Sequence, residues 1–357
     1  MNQEEQKREE MAKVLRMVAP GTTLYEGLEN ILRARTGALI MVSDSEAAMK
    51  LVDGGFRINS ELKPSTLYEL AKMDGAIVLA SDARKILIAN AHLTPDYLIP
   101  TSETGTRHRT AERMAVQTGE LMIAISQRRN VITLYKGNQR YVIRDIGTIL
   151  AKANQALQTL QKYKSVLEQA LLNLSALEFE NLVTLSDVCT VIQRAEMVRR
   201  IADEIQRYIF ELGTEGRLVS MQLEELMIDV QDEGFLVIRD YLKGEQNQAE
   251  LFRKEIATWD DDDLLELNAI ARELGYPSGT NLDLSLTTRG YRLLGKIPRL
   301  PFSVVENLVK TFAVMYKILE ASTEELDEVE GIGEVRARTI KDGLRRLKEQ
   351  ILLDRHY

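Results

Sequence analysis

The chain has 357 residues, 28% of them charged, with a net charge of −8 and a pI near 5.3. That length predicts two or three domains with their own cores, and the acidic balance excludes a generic polyanion binder, so any nucleic-acid contact must come from a local patch. Cys189 is the only cysteine, which excludes disulfide frameworks and multi-cysteine metal sites, and His92, His108 and His356 form no metal-ligand pair at helical spacing.

The N-terminus, MNQEEQKREEMAK, is polar and lacks an apolar signal core, and no run approaches the roughly 18 apolar residues of a membrane span. A cytoplasmic protein of a reducing compartment, without membrane contact, is expected. Residues 3–18 and 23–35 carry helical spacing, the second opening at Pro20-Gly21-Thr22-Thr23 with Leu24, Leu28, Ile31 and Leu32 on one face. Ala38 to Val42 is a short apolar run bounded by Gly37 and Ser43, as expected of a buried strand. Pro64 to Lys72 returns to helix, and 75–80, 85–91, 121–125, 131–135 and 140–143 read as strands. One mixed sheet flanked by helices follows from this alternation.

Within that part, Thr104-Gly105-Thr106-Arg107-His108-Arg109-Thr110 opens a helix that runs to the stop signal Gly119, with Thr104 or Thr106 as the N-cap. Arg107, His108 and Arg109 then crowd a first turn where the macrodipole is already positive. An anion completing the site, polyphosphate above all, makes sense of them; a solvated basic turn paired with Glu103 and Glu112 is the alternative. Asp74-Gly75-Ala76 leads into the strand at 75–80. Such an aspartate is usually a turn residue, while Gly75 leaves a bare backbone that a flat ligand can approach.

From Ile146 to about Leu242 proline and glycine nearly vanish and apolar residues recur at three and four, which predicts an all-α spine. A charged stretch follows at 244–250, and Asp260 to Asp263 fits a capped helix start better than a metal site. Residues 275–285 form a linker rich in turn residues. Near the end, Leu326 to Ile340 reads as helix, a tight Gly331-Ile332-Gly333 hairpin and a second helix carrying Arg336, Arg338, Lys341, Arg345, Arg346 and Lys348. Both glycines allow positive φ and Ile332 can plug the junction. Hairpin amides and the basic helix would hold a DNA phosphate without reading bases. This segment resembles the helix-hairpin-helix module of DNA repair and recombination proteins. Upstream, 290–312 looks like a partner hairpin with Ile297 to Pro301 at its turn; without paired glycines it is expected to pack rather than bind. The expected domains are therefore 1–145, 146–285 and 286–357.

Asp-Gly-Ala and Arg-His-Arg about 30 residues apart resemble the diadenylate cyclase domain, and with the spine and hairpin module the whole chain resembles the DNA-integrity scanning family of diadenylate cyclases. The likeness extends through VAPGT (18–22), VDGGF (52–56), LYELAKMDGAI (67–77), SETGTRHRTAER (102–113), RRNVITLY (128–135), RDIGTILAKANQALQTL (144–160), ELGTEG (211–216), RGYRLLGKIPRLP (289–301) and EVEGIGEVRARTIK (328–341). The resemblance implies condensation of two ATP into cyclic di-AMP and two pyrophosphates. It implies that Asp74 binds Mg²⁺ or Mn²⁺ and helps activate the 3′-hydroxyl, and that Arg107, His108 and Arg109 hold the triphosphate, with Thr106 and Thr110 adding donors. Gly75 and Leu93 would lie against the adenosine. Ser126 and Arg128 are either further phosphate ligands or a plain hairpin turn, and His108 is either a phosphate donor or a metal ligand. The symmetric product requires two facing protomers; the family implies an octamer, where the residues support only an oligomer. DNA at the hairpin modules, branched DNA especially, is expected to reduce synthesis, with the protein at the nucleoid when bound. The competing reading is a DNA-binding repair scaffold whose N-terminal domain only senses ATP.

Overall fold

The computed structural model describes residues 3–228, 230–244 and 248–354, with side chains from residue 10 on. Part of the charged stretch at 244–250, and His356, lie outside the described residues. The chain forms two compact units, Met1–Asn154 with Gln206–Ser220, and Gln155–Ile205 with Met221–Tyr357.

The first unit contains α1 (Gln3–Met17), α2 (Thr23–Arg33), β1 (Ala38–Val42), α3 (Glu46–Met49), β2 (Val52–Asp53), β3 (Phe56–Glu61), α4 (Pro64–Leu70), β4 (Ala76–Leu79), β5 (Lys85–Leu93), α5 (Thr106–Thr118), β6 (Leu121–Ser126), β7 (Val131–Lys136) and β8 (Gln139–Val142). The eight strands form the expected mixed sheet in the order β2-β5-β4-β1-β6-β7-β8, with β3 also on β5. β1 runs parallel to β4 and antiparallel to β6. All five β1 residues are buried because both faces of the sheet are covered, which is why the run reads as continuously apolar rather than alternating. Ile40 and Val42 pack with Ile77, Leu79 and Ile123 against Leu24, Leu28, Ile31 and Leu67 of α2 and α4. Leu39 and Met41 point the other way, with Val78, Met122 and Ala124, onto Ala111, Met114 and Ala115 of α5. The result is three layers, with α5 and the short α3, through Ala48, opposite the larger helical layer.

Two of the stretches that carry the family likeness meet in this unit. Thr214 of the 3-10 turn Gly213–Gly216 donates from its backbone N–H and its hydroxyl to the carbonyl of Pro20, at 3.2 and 3.3 Å.

The spine starts with α6 (Ile146–Glu180) and α7 (Leu185–Leu212), each contributing to both units, and continues with α8 (Arg217–Met227), α9 (Glu233–Tyr241), α10 (Gln248–Ile256), α11 (Asp261–Leu265) and α12 (Leu267–Glu273). Asp260 caps α11 by accepting from the N–H of Asp263 at 2.8 Å, so the aspartate run is a helix start. Residues 275–285 are irregular, tied down where Ser285 bridges Thr184.

The end of the second unit holds α13 (Tyr291–Gly295), α14 (Phe302–Phe312), α15 (Met315–Glu320), α16 (Thr323–Asp327) and α17 (Glu334–Asp354). Two hairpins, α13–α14 and α16–α17, share one core in which Leu293, Ile297, Val305 and Leu308 meet Leu326, Ile332, Ala337 and Ile340. Behind it lies a buried charged cluster. Arg292 is wholly buried and pairs with Glu178, also wholly buried, and with Glu233 at 3.3 Å. Asp240 accepts the backbone N–H groups of Gly290, Tyr291 and Arg292 at 2.8, 2.7 and 3.1 Å, which satisfies the start of α13.

Candidate active site

Sheet topology gathers the sequence motifs at one end. Because β4 and β1 are parallel, Gly75 and Gly37 precede them on the same edge. Because β6 is antiparallel to β1, its last residues, Ile125 and Ser126, reach that edge too, with Ala38 opposite Ile125. β5 is antiparallel to β4, so Leu93 ends there as well. α5 starts over this edge. The guanidinium of Arg107 lies against Gly37, its Nη1 2.5 Å from where a Cβ would stand, and its Nη2 is 3.8 Å from Asp74 Oδ1. Asp74, Arg107, Leu93 and Ser126 thus lie at one end of the sheet, from four separate stretches of chain, with Asp74 and Arg107 adjacent.

Their environments differ. Asp74 sits on the turn between α4 and β4 with its carboxylate fully exposed. Thr106, Arg109 and Arg128 are exposed, Arg107 and Thr110 half-buried, and Leu93 is 5% exposed within the core cluster on the α5 face. Ser126 forms the hairpin turn, accepting from the N–H of Arg129 on its hydroxyl at 3.2 Å and from Asn130 on its carbonyl at 2.8 Å. The turn therefore exists, and it presents Arg128 at the same edge of the sheet.

One expectation is corrected. The N-cap of α5 is Gly105, in extended backbone and with no side-chain cap, rather than Thr104 or Thr106. The first-turn amides therefore have no capping oxygen from residue 105, as suits an anion site. Gly75 has a structural reason of its own. A Cβ there would stand 2.4 Å from the carbonyl carbon and 2.6 Å from the Cα of Asn90 on β5, which itself adopts φ 56°. Glycine is required by the neighbouring backbone before any ligand arrives.

A network that spacing alone did not reveal surrounds His108. This residue is 8% exposed. Its Nδ1 is 3.0 Å from the hydroxyl of Tyr135 on β7, and that hydroxyl donates to Glu103 Oε1 at 2.8 Å. Arg140 on β8 donates its Nε–H to the same oxygen at 2.7 Å, with Arg129 3.9 Å from the other. Burial opposes the charge on Glu103, but the hydrogen bonds from Tyr135 and Arg140 hold its carboxyl below the ordinary value. Burial, reinforced by Arg129, Arg140 and Arg107 and opposed by Glu103, lowers His108. Burial and then the bond to Glu103 raise Tyr135. The carboxylate that sequence pairs with the basic turn, Glu103, is instead bound from β7 and β8. Glu112 accepts from the Thr101 hydroxyl and from the N–H of Ser102, fastening the loop before α5.

Among the described residues no group of three His, Cys, Asp or Glu side chains is disposed to hold a metal. A lone exposed carboxylate beside cations fits a divalent ion carried by a triphosphate, since Mg²⁺ is commonly bound through one or two carboxylates plus substrate phosphates and water. No helix among the described residues is long and apolar enough to cross a membrane.

In the hairpin module, Gly331 takes φ 85° whereas Gly333 does not take a positive φ, so only one of the two uses that freedom. Ile332 is buried as the expected plug. Arg336 donates from Nη1 to the carbonyl of Gly331. Arg338 pairs with Glu334, and Lys341 donates to the carbonyl of Ala321. The first hairpin packs, with Ile297 Cγ2 3.0 Å from where a Cβ on Gly343 would stand. Its turn residues Pro298, Arg299 and Leu300 also line a groove of about 540 Å³ together with Gly333, Val335, Arg336 and Thr339.

Residues 25–140 match the family described as "DisA bacterial checkpoint controller nucleotide-binding", and residues 143–283 match "DisA bacterial checkpoint controller linker region". The DNA integrity scanning protein DisA of Clostridium kluyveri is 57% identical over 352 residues, covering 99% of this chain and 99% of its own. That of Carboxydothermus hydrogenoformans is 58% identical over 346 residues, 96% of this chain and 98% of its own.

Proposed function

The chain belongs to the DNA integrity scanning protein (DisA) family, and on that premise we propose that it is a diadenylate cyclase that joins two ATP molecules into cyclic di-AMP with release of two pyrophosphates. The observation that carries this reading is the convergence of Asp74, Arg107, Leu93 and Ser126 at one end of the sheet, beside a helix start whose first turn is cationic.

In this reading the triphosphate lies at the start of α5. Arg107 and Arg109 bind it by charge-assisted hydrogen bonds, and Thr106 and Thr110 add donors at the same turn. Ser126 and Arg128 approach the phosphates from the β6–β7 turn, Gly75 borders the adenosine through its backbone, and Leu93 limits the base side. As pyrophosphate leaves, the two arginines hold the charge that develops on it. Asp74 would hold Mg²⁺ or Mn²⁺, which when bound neutralises phosphate charge and eases deprotonation of the attacking 3′-hydroxyl. Each site supplies one ATP and one set of motifs, so two protomers must face each other to close the cyclic product. An octamer would satisfy this requirement.

The functional division we propose is a cyclase domain over 1–145, a spine over 146–285 and a DNA-binding domain over 286–357. Gly331, Ile332, Gly333, Arg336, Arg338 and Lys341 form the DNA contact, which takes phosphates without reading bases and suits branched DNA. DNA bound there would reduce synthesis by favouring one arrangement of the facing sites over another. The enzyme would act in the cytoplasm and, when bound to DNA, at the nucleoid.

The test is incubation of the purified protein with ATP and Mg²⁺ or Mn²⁺, with products identified by mass spectrometry, beside Asp74→Asn. The substitution removes a charge from a fully exposed position and should leave the melting temperature unchanged. Cyclic di-AMP from the parent and none from the variant is the expected outcome. Absence of product with either metal, while DNA still binds, would favour a scaffold that only senses ATP.

A further inference from the structure

The network around His108 assigns its protons. The Tyr135 hydroxyl has a single hydrogen, and its geometry directs that hydrogen to Glu103 Oε1 at 2.8 Å. Glu103 is held ionised by the bonds it accepts, and Tyr135 is held protonated by burial and by Glu103. The Tyr135 oxygen can therefore only accept on its other side. The 3.0 Å contact with His108 Nδ1 must then be an Nδ1–H donating to that oxygen. A neutral imidazole protonated at Nδ1 carries a lone pair at Nε2. That atom is buried and has no hydrogen-bond partner. It belongs to the ring edge at the α5 start, where the adjoining Cδ2 is 3.8 Å from the Cβ position of Gly105.

We propose that Glu103 and Tyr135 are positioning residues that lock His108 as the Nδ1–H tautomer, so that its Nε2 serves the ATP site as an electron-pair donor, to a proton or a cation, and not as a hydrogen-bond donor to phosphate. This rests on the diadenylate cyclase reading and deepens it. The free histidine side chain favours protonation at Nε2, so the relay reverses an intrinsic preference. A buried lone pair without a partner is unfavourable, and a proton or cation arriving with ATP relieves it. Arg140 completes the relay by donating to the same Glu103 oxygen at 2.7 Å, and Arg129 lies 3.9 Å from the other oxygen. The division of labour at the basic turn follows: Arg107 and Arg109 supply positive charge, while His108 between them supplies a ring-nitrogen acceptor.

The experiment is nitrogen NMR of the full-length protein with isotope-labelled histidine, where only three histidines contribute, run beside steady-state kinetics of Tyr135→Phe and Glu103→Gln. The parent is expected to show His108 neutral, protonated at Nδ1 and bare at Nε2 at neutral pH. Tyr135→Phe keeps the buried ring but removes the acceptor. It should lose the Nδ1–H signature and about 10–100-fold in kcat, the usual cost of losing a partner that orients a functional histidine, with KM for ATP changed less than about threefold. Glu103→Gln retains an acceptor for the Tyr135 hydroxyl and should keep the tautomer and recover most of kcat. A parent histidine protonated at Nε2 overturns the proposal, as does a Tyr135→Phe variant whose tautomer and kcat match the parent. If the parent shows the assigned tautomer yet forms no cyclic di-AMP, the reaction assigned to the site fails and the tautomer stands.

Discussion

Gly75→Ala separates two explanations of the glycine beside Asp74. If that glycine served only to let adenosine approach, alanine would weaken ATP binding and leave the ligand-free protein as stable as its parent. The neighbouring strand argues otherwise, because the new methyl carbon would stand 2.4 Å from the carbonyl carbon of Asn90 and 2.6 Å from its Cα. Both are backbone atoms, so no rotamer relieves the clash, and restoring ordinary contact near 3.4 Å requires β4 and β5 to part by about 1 Å at this point. Overpacking of this kind costs about 1–3 kcal/mol, which for a unit of this size lowers the melting temperature by roughly 2–12 °C. The same shift moves Asp74, one residue away, relative to Arg107, and a displacement of about 1 Å can reduce turnover about a hundredfold. Thermal melting of ligand-free protein with and without the substitution, then cyclic di-AMP synthesis at saturating ATP, reads both effects. An unchanged melting temperature would refute the packing argument, whatever happens to activity. Replacing Asn90 by glycine as well should not rescue stability, since the two closest atoms remain.

The buried cluster of the second unit is predicted to be intolerant of half-removal. Arg292→Met leaves the buried Glu178 without its cation, while Glu233 keeps Lys296 at 3.4 Å, and should cost about 3–5 kcal/mol in chemical denaturation, with part recovered when Glu178→Leu is added; a loss under about 1 kcal/mol would contradict the burial and pairing described. Burial lowers His108 from its ordinary value of 6.5, so the unfolded chain takes up the proton first. Stability from this group is complete well above that pH and is lost as pH falls below it. Melting temperatures between pH 5 and 7 should show an acid-side slope that His108→Gln reduces. At the hairpin, Gly331→Ala places a side chain at φ 85°, which costs about 1–2 kcal/mol of stability, and a hairpin displaced to relieve that strain should bind DNA more weakly. Arg336→Ala should reduce the slope of log affinity against log salt by about 1. A salt-independent affinity in the parent would exclude phosphates as the main contact.

Much of this architecture is local and therefore legible. β1 announces itself as five apolar residues between Gly37 and Ser43, and α5 by its stop at Gly119, because burial and the left-handed cap impose residue types directly. β3 is different. Its sequence FRINSE is exposed or half-buried throughout, so no apolar period marks it, and it exists because β5 offers a second edge to pair with. The relay around His108 was hidden for a related reason. Glu103 meets Tyr135 and Arg140 across separations of 32 and 37 residues, and only the pairing of β7 with β8 brings those two side chains to one place, with Tyr135 opposite Arg140. The Asp-Gly-Ala motif was visible, but the reason for its glycine was not, since Asn90 lies on another strand.

Register is thus what converts legible motifs into a site. Ile40 pairs with Ile77 and Val42 with Leu79 along the parallel β1–β4 edge, and those residues bury on the α2–α4 face while Val78 buries on the α5 face. A one-residue slip of β4 would exchange these faces and carry Asp74 about 3.3 Å along the strand, away from the 3.8 Å approach it makes to Arg107. The fit of Ile77 and Leu79 to one covered face and of Val78 to the other therefore sets the distance between the carboxylate and the cationic helix start. That spacing is as much a property of Ile77, Val78 and Leu79 as of the polar residues themselves.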